Sequence, residues 1–327
     1  MLKVKRKLLK RKTVFVALFL LFAAVLFAQT QNTAKKASVA PKSKIINAER
    51  LLADVKTLSS DEMKGRNSGS PEIIKARDYV VKRFKETGVK QLRDSYLQEF
   101  GFKDRRSSET IKGANVFGII KGKKNPEKYI IVTAHYDHVG VEKGEIYNGA
   151  DDNASGTAAL FAIAEYFEKN RPSNSLIFVA FDAEEKGLQG SRHFVANLPV
   201  KKESVLLNVN MDMVSRSDRN ELYAAGAFHY PFLKSHLLAA QKNAPIKLLL
   251  GHDDPKLGHN DWTSQSDQAA FHKEKIPFVY FGVEDHADYH KPTDDFQNIT
   301  QEFYVGAVET ILAAIKTFDK NLPQSEK

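Results

Sequence analysis

The sequence predicts an α/β fold: a mixed, mostly parallel central sheet flanked by helices on both faces, in a single domain over residues 46–327. Three observations predict it. Five short apolar runs read as strands covered on both faces. Stretches with helical spacing alternate with them, which favours parallel pairing through crossovers. No internal repeat or long linker follows residue 45, and 42% of the residues are hydrophobic, enough for one sizeable core.

In chain order, residues 46–57 (INAERLLADVKT) have helical spacing. Ser70-Pro71-Glu72 supplies an N-cap, a proline in the first turn and an early acid, so a helix starts there. Its stripe is Ile73, Ala76, Val80 and Phe84, and it ends near Gly88. The expected strands are 115–120 (NVFGII), 129–134 (YIIVTA), 175–181 (SLIFVAF), 204–211 (SVLLNVNM) and 277–282 (PFVYFG). Helices are expected at 153–168 and 187–197. A last helix over 301–318 places Tyr304, Ala307, Val308, Ile311, Leu312, Ile315 and Phe318 on one side.

The 327 residues include 49 Lys+Arg and 40 Asp+Glu, a formal charge of +9. That excess would suit an anionic partner, but its position argues otherwise. Residues 1–12 carry seven basic residues and no acid, and residues 13–28 carry no charge. This is the pattern of an export signal, with cleavage expected after Ala28; an uncleaved anchor is the alternative. Residues 29–45 read as a flexible lead-in. From Glu49 onward 38 basic residues face 40 acids. Nucleic acid is therefore not expected as a partner, and membrane contact is expected only through the export signal. The expected location is periplasmic or extracellular; oligomeric state is not set by the sequence. No cysteine is present, which excludes disulfides, a thiol nucleophile, a lipoprotein anchor and a thiolate metal site.

Chemistry gathers at the expected strand ends. His135, Asp137 and His138 follow 129–134; Glu184 and Glu185 follow 175–181; Asp212 ends 204–211. Asp285, His286, Asp288 and His290 follow 277–282, and Asp151 and Asp152 open the helix at 153. Sites in open α/β sheets form at the carboxyl ends of the strands. Imidazoles and carboxylates without cysteine suit Zn²⁺ or another borderline divalent ion. A shared carboxylate can hold two such ions about 3.5–4 Å apart in a hydrolytic centre.

The strings TAHYDHVG, YNGADDNASGTAAL, FDAEEKGLQGS, NVNMDMVS and YHKPTDD, in this order, resemble the M28 family of zinc peptidases, of the bacterial leucyl aminopeptidase-like kind. The weaker strings SSDEMKGRNSGSP and SDQAAFHKEKIP also fit, and the resemblance spans roughly residues 47–315. It implies a zinc-exopeptidase fold, peptide substrates and two Zn²⁺, with Co²⁺ or Mn²⁺ as alternatives. It implies that Asp152 bridges both ions, that His135 and Asp212 complete one site, and that Glu185 and His290 complete the other. Glu184 is then the general base and Asp137 the partner that orients His135. A cis peptide after Asp152 and a supporting role for Asp294 are implied as well.

The sequence departs from the family at Gln268, where many relatives carry His; His272 is expected to substitute in part if the segment is helical. His138 and His286 are expected at the rim or surface, and His193 is expected to be structural. The segments His252-Asp253-Asp254 and His259-Asn260-Asp261 read as a polar loop near the cleft. Arg66 either borders the substrate pocket or forms a loop ion pair, and Trp262 either lines the cleft or packs. The implied activity is that of a secreted metal-dependent exopeptidase, an aminopeptidase first. A carboxypeptidase or glutaminyl cyclase of the same fold and a non-catalytic binding ectodomain are the alternatives.

Overall fold

The computed structural model describes residues 41–104 and 108–322. The expected export signal lies outside them, as does the lead-in up to residue 40. Among the described residues no helix is long and apolar enough to cross a membrane. Residues 43–46 are held in place rather than free: the Ser43 hydroxyl donates to Glu309 and accepts from the amides of Ile45 and Ile46, each at 3.0 Å.

Among the described residues there are ten strands and seven α-helices. Helix α1 is Ala48–Leu58, capped by the Asn47 side chain, and α2 is Pro71–Glu86, capped by Ser70. Strands β1 (Leu97–Lys103), β2 (Thr110–Ile120) and β3 (Asn125–His135) come next. A small hairpin of β4 (Gly140–Glu142) and β5 (Glu145–Tyr147) leads to α3 (Gly156–Lys169) and β6 (Asn174–Phe181). Helix α4 (Gln189–Ala196), β7 (Val205–Met211), β8 (Glu221–Ala225), α5 (Leu233–Gln241) and β9 (Lys247–Leu250) follow. The chain closes with α6 (Gln268–Lys273), β10 (Phe278–Gly282) and α7 (Gln301–Asn321).

Eight strands form one sheet in the order β1-β2-β6-β3-β7-β10-β8-β9. The centre is parallel: β3 lies between β6 and β7, and β7 pairs with β10. The flanks are antiparallel at β1-β2, β2-β6 and β10-β8. The expected fold class is thus the observed one. All five expected strands are present, and β3 carries its register as far as His135, opposite Phe181. Strands β1, β8 and β9, which the apolar pattern did not reveal, sit at or next to the sheet edges. Strands β8 and β9 are only five and four residues long, and β1 is largely uncovered, so none shows a long apolar run.

Alternate residues of the central strands face opposite layers. Ile131, Ile177, Val179 and Phe181 pack with Phe194 of α4 and Phe271 of α6. On the other face Phe178 meets Phe84 of α2, which meets Phe161 of α3 edge to face. Helices on both faces leave the carboxyl ends of the parallel strands as the open edge.

A buried ion pair locks α1 to α2. Arg83 donates to both carboxylate oxygens of Asp54, at 2.8 and 2.9 Å, and Tyr79 donates to the same group at 2.6 Å. Removing one partner of a buried pair leaves the other charge uncompensated. Arg83→Ala and Asp54→Ala are each expected to cost about 3–5 kcal/mol of unfolding free energy, read from urea denaturation.

Candidate metal centre and catalytic cleft

The site forms where β3, β6, β7 and β10 end. His135 is the last residue of β3 and is buried. Its Nε2 lies 3.3 Å from Asp152 Oδ1 and 3.2 Å from Asp212 Oδ1. Its Nδ1 faces the backbone carbonyl of Asp137 at 3.1 Å, with the Asp137 carboxylate further off at 3.6 Å. That carboxylate mainly does something else. It accepts from the amides of Glu184 at 3.0 Å and Glu185 at 3.3 Å, and so holds the loop after β6 against the loop after β3.

Asp152 sits between two groups of donors. Its Oδ2 lies 3.0 Å from His290 Nε2, which lies 3.3 Å from Glu185 Oε1. The backbone around Asp152 is not helical, with φ −103°, ψ 98°, and the Asp152–Asn153 peptide is cis. The helix expected from 153 therefore begins at Gly156, and residues 150–155 form a wide irregular turn. Asp294 fixes this turn by accepting from the amides of Asp151 at 2.9 Å and Asp152 at 3.0 Å. Burial, with Asp151 nearby, raises the Asp294 carboxyl to about 6. Asp151 accepts from the Ser215 amide and hydroxyl and faces His286 Nε2 at 3.0 Å.

Two groups of donor atoms result, each with all its atoms within 4.8 Å of one another: His135, Asp152 and Asp212, and His138, Asp152, Glu185 and His290. Burial works against charge on His135, Asp152, Glu185 and His290, yet their pairing favours the charged forms. Burial would lower the His135 pKa, but Asp212 and Glu184 carry it well above the usual histidine range. Burial would raise Asp152 and Glu185; the histidines bring Asp152 well below the carboxylate range and Glu185 to about 2. His290 rises to about 10 against the same two acids. Glu184 behaves oppositely: burial, then Asp267 and Glu185, push it well above the carboxylate range, against the opposing pull of His135.

Two sequence readings need correction. His138 is not at the rim: it is fully buried, with Nδ1 2.9 Å from Glu185 Oε1. The residue directly follows Asp137, so the turn that takes Asp137 inward takes its neighbour too. His286 is largely covered and serves Asp151. Nor does His272 stand in for the missing histidine at 268. Its Nδ1 pairs with the Tyr230 hydroxyl at 2.9 Å. Gln268 itself is buried in the sheet's polar interior, accepting from Asn210 at 3.0 Å and donating to the Trp262 carbonyl at 2.7 Å.

Trp262 combines both of its readings. It is buried, stacks on His252 with ring centroids 3.6 Å apart, and lines the cleft. Asp253 and Asp254 are spent on local amides, Gly226 and Phe228 for the first, Lys256 for the second. His193 stacks on Phe100. The cleft has two lobes that share Glu185, Gly187 and His290. One holds about 310 Å³ beside Asp152, Glu184, Asp212, Trp262 and Tyr280. The other holds about 510 Å³ beside Asn67, Val139, Tyr147 and Lys186.

Arg66 fits neither of its sequence readings, since it is fully buried and, among the described residues, its hydrogen bonds go to backbone carbonyls rather than to a carboxylate. Its guanidinium donates to four backbone carbonyls: Tyr136 at 2.8 Å, Leu58 at 2.5 Å, Asn148 at 2.7 Å and Gly149 at 3.0 Å. Burial lowers its pKa to about 10, still charged at neutral pH, with Asp152 and Asp137 supporting the charge.

The donor set fits a divalent cation. It is all imidazole nitrogen and carboxylate oxygen, as zinc accepts. Both ring nitrogens of His138 and Oε1 of Glu185 are buried without a well-aligned hydrogen bond, although Nδ1 stands 2.9 Å from Oε1. Groups of that kind are rarely left unpaired unless something else meets them.

The fold and this centre define a metallopeptidase-type α/β domain. The model of peptidase family M28 matches residues 115–315, and the chain belongs to that family. The aminopeptidase YwaD of Bacillus subtilis is 33% identical over 215 residues, 62% of this chain and 44% of the relative. The chain spans less than half the length of the curated relatives it matches. Among solved structures, a zinc aminopeptidase from Bacillus subtilis superposes with TM-score 0.69 at 18% identity, over 84% of this chain and 95% of the other. A glutaminyl cyclase from Porphyromonas gingivalis superposes with TM-score 0.68 at 16% identity, over 84% and 99%. The fold is therefore shared by a peptidase and a cyclase.

Lysine at position 66 would offer three tetrahedral donors where a planar fork meets four carbonyls. Arg66→Lys and Arg66→Met are both expected to lower stability by about 3–5 kcal/mol, because buried carbonyls lose their donors. Thermal and urea unfolding of the chelator-treated protein check this apart from any metal effect.

Proposed function

We propose that the protein is an exported metal-dependent exopeptidase, an aminopeptidase that removes N-terminal residues from peptides. One observation carries the proposal: two groups of metal-type donors meet at the single carboxylate of Asp152, with Glu184 in the same cleft. The ligand reading gives His135 and Asp212 to one ion, Glu185 and His290 to the other, and Asp152 to both. Zinc held there would supply a Lewis acid for the scissile carbonyl and would favour ionisation of the attacking water. Co²⁺ or Mn²⁺ would satisfy the same donors.

The remaining chemistry belongs to the chain. Glu184 takes the proton of the attacking water and returns it to the leaving amine nitrogen, as a general base and then acid. Asp137 fixes the Glu184 backbone by accepting its amide, so the carboxylate is aimed from a rigid turn. Tyr280 donates to the Asp212 carbonyl at 3.2 Å, and the Tyr289 ring stacks on His290. Both contacts limit the freedom of the groups that surround the reacting bond. The two lobes of the cleft share Glu185 and His290, which supports a substrate bound against both.

Residues 1–28 support export. The donor pairing at Asp152 supports two ions, whereas the cyclase reading needs one; the aminopeptidase relative supports exopeptidase action on peptides. The carboxypeptidase alternative and the non-catalytic ectodomain make different demands on a substrate panel. Cleavage of aminoacyl nitroanilides and dipeptides that is abolished by N-acetylation is the result expected; cleavage only of C-terminal residues, pyroglutamate formation, or no turnover would reject the aminopeptidase. Elemental analysis is expected to give two metal ions per chain. Glu184→Gln is expected to retain them while turnover falls by about 10²–10⁴. His290→Ala and Asp212→Ala are expected to lose metal instead.

A further inference from the structure

We infer that His138 is a sixth protein ligand, which closes the Asp152–Glu185–His290 side of the centre with four donors and leaves the His135–Asp152–Asp212 side open with three. The inference rests on the metal reading above and adds a residue outside its five-ligand set. His138 is fully buried, and neither of its ring nitrogens has a hydrogen-bond partner. Its Nδ1 stands at ion-pair distance, 2.9 Å, from Glu185 Oε1, and neither atom makes a well-aligned hydrogen bond, so both are available to a shared cation.

The separations test the idea. A tetrahedral zinc with bonds of about 2.0–2.1 Å puts its donors about 3.3 Å apart. On this side they are 2.9 Å (His138 to Glu185), 3.7 Å (His138 to Asp152), 3.0 Å (His290 to Asp152) and 3.3 Å (His290 to Glu185). The other side gives 3.3 and 3.2 Å from His135 to Asp152 and Asp212, and its third corner has no further donor in the group. Four protein donors make a closed zinc site and three make an open one. The ring of His138 is seated by Gly149, whose φ is +56°; a Cβ there would lie 2.5 Å from the ring's Cγ and Cδ2. The same Gly149 carbonyl accepts from Arg66, so the seat is tied to the rest of the centre.

The consequence is a division of labour. The closed side holds its ion more tightly and fills first, and the open side is where water or a substrate carbonyl has room. The test is Zn²⁺ titration of the full chain, stripped by chelator, against a competing chromophoric chelator. His138→Ala is expected to weaken the tighter binding event at least 10-fold, the scale lost even when a residue behind a ligand is removed. The melting temperature of the stripped protein is measured alongside. His138→Asn, which keeps a short polar side chain but not the imidazole, is expected to show the same loss should the alanine variant fold poorly. Unchanged Zn²⁺ affinity in either folded variant overturns the role of His138 and leaves the centre itself standing. A wild-type chain that binds no Zn²⁺ overturns both.

Discussion

Everything at the catalytic edge depends on one buried guanidinium. The loops after β3 and before α3 must come close enough for His135 and Asp152 to meet, at 3.3 Å. Both loops arrive with backbone carbonyls pointing inward and no strand to satisfy them. Arg66 meets that need from the side, with four hydrogen bonds to three separate stretches of chain. Its charge also offsets the excess of carboxylates nearby, which would otherwise repel one another in a low-dielectric interior. The planar fork of arginine matches such a bundle of acceptors, and its charge persists where a lysine would surrender its proton.

Around this anchor the acids divide by task. Asp294 and Asp137 spend their oxygens on backbone amides and fix the turns. Asp151 is itself held by Ser215 and His286. Asp152, Glu185 and Asp212 are thereby free to turn toward the cleft. A site of this kind is expensive in desolvation, and part of the expense is offset by the amides and hydroxyls that meet Asp137, Asp151 and Asp294.

The central sheet was legible because its strands are buried on both faces and announce themselves as apolar runs. The strand ends were legible because polar residues follow those runs abruptly; that is how His135, Glu185, Asp212 and His290 stand out. What escaped was everything decided by distance in space. Arg66 sits in a Gly-Arg turn like many surface turns, and nothing local shows that two loops some 70 and 80 residues later close over it. His138 carried a signal, since it follows directly on His135-Tyr136-Asp137, but a polar residue after a strand reads as solvent-facing by default. The start of α3 was placed three residues early because Asp152 and Asn153 look like caps, whereas the turn they form is fixed by Asp294. Strands β1, β8 and β9 lack a sustained apolar run and depend on a neighbour to be strands at all.

The grip of Asp294 on the Asp151 and Asp152 amides has a consequence in time. The carboxylate common to both halves of the centre is presented by a turn that only a residue far downstream can stabilise. His290 comes from the same late segment. A chain emerging amino end first therefore carries the donors of the centre in unassembled form. The centre is completed only after residue 294 has appeared. Until then the early donors, His135 and Asp152, stand without the late residues that fix and complement them.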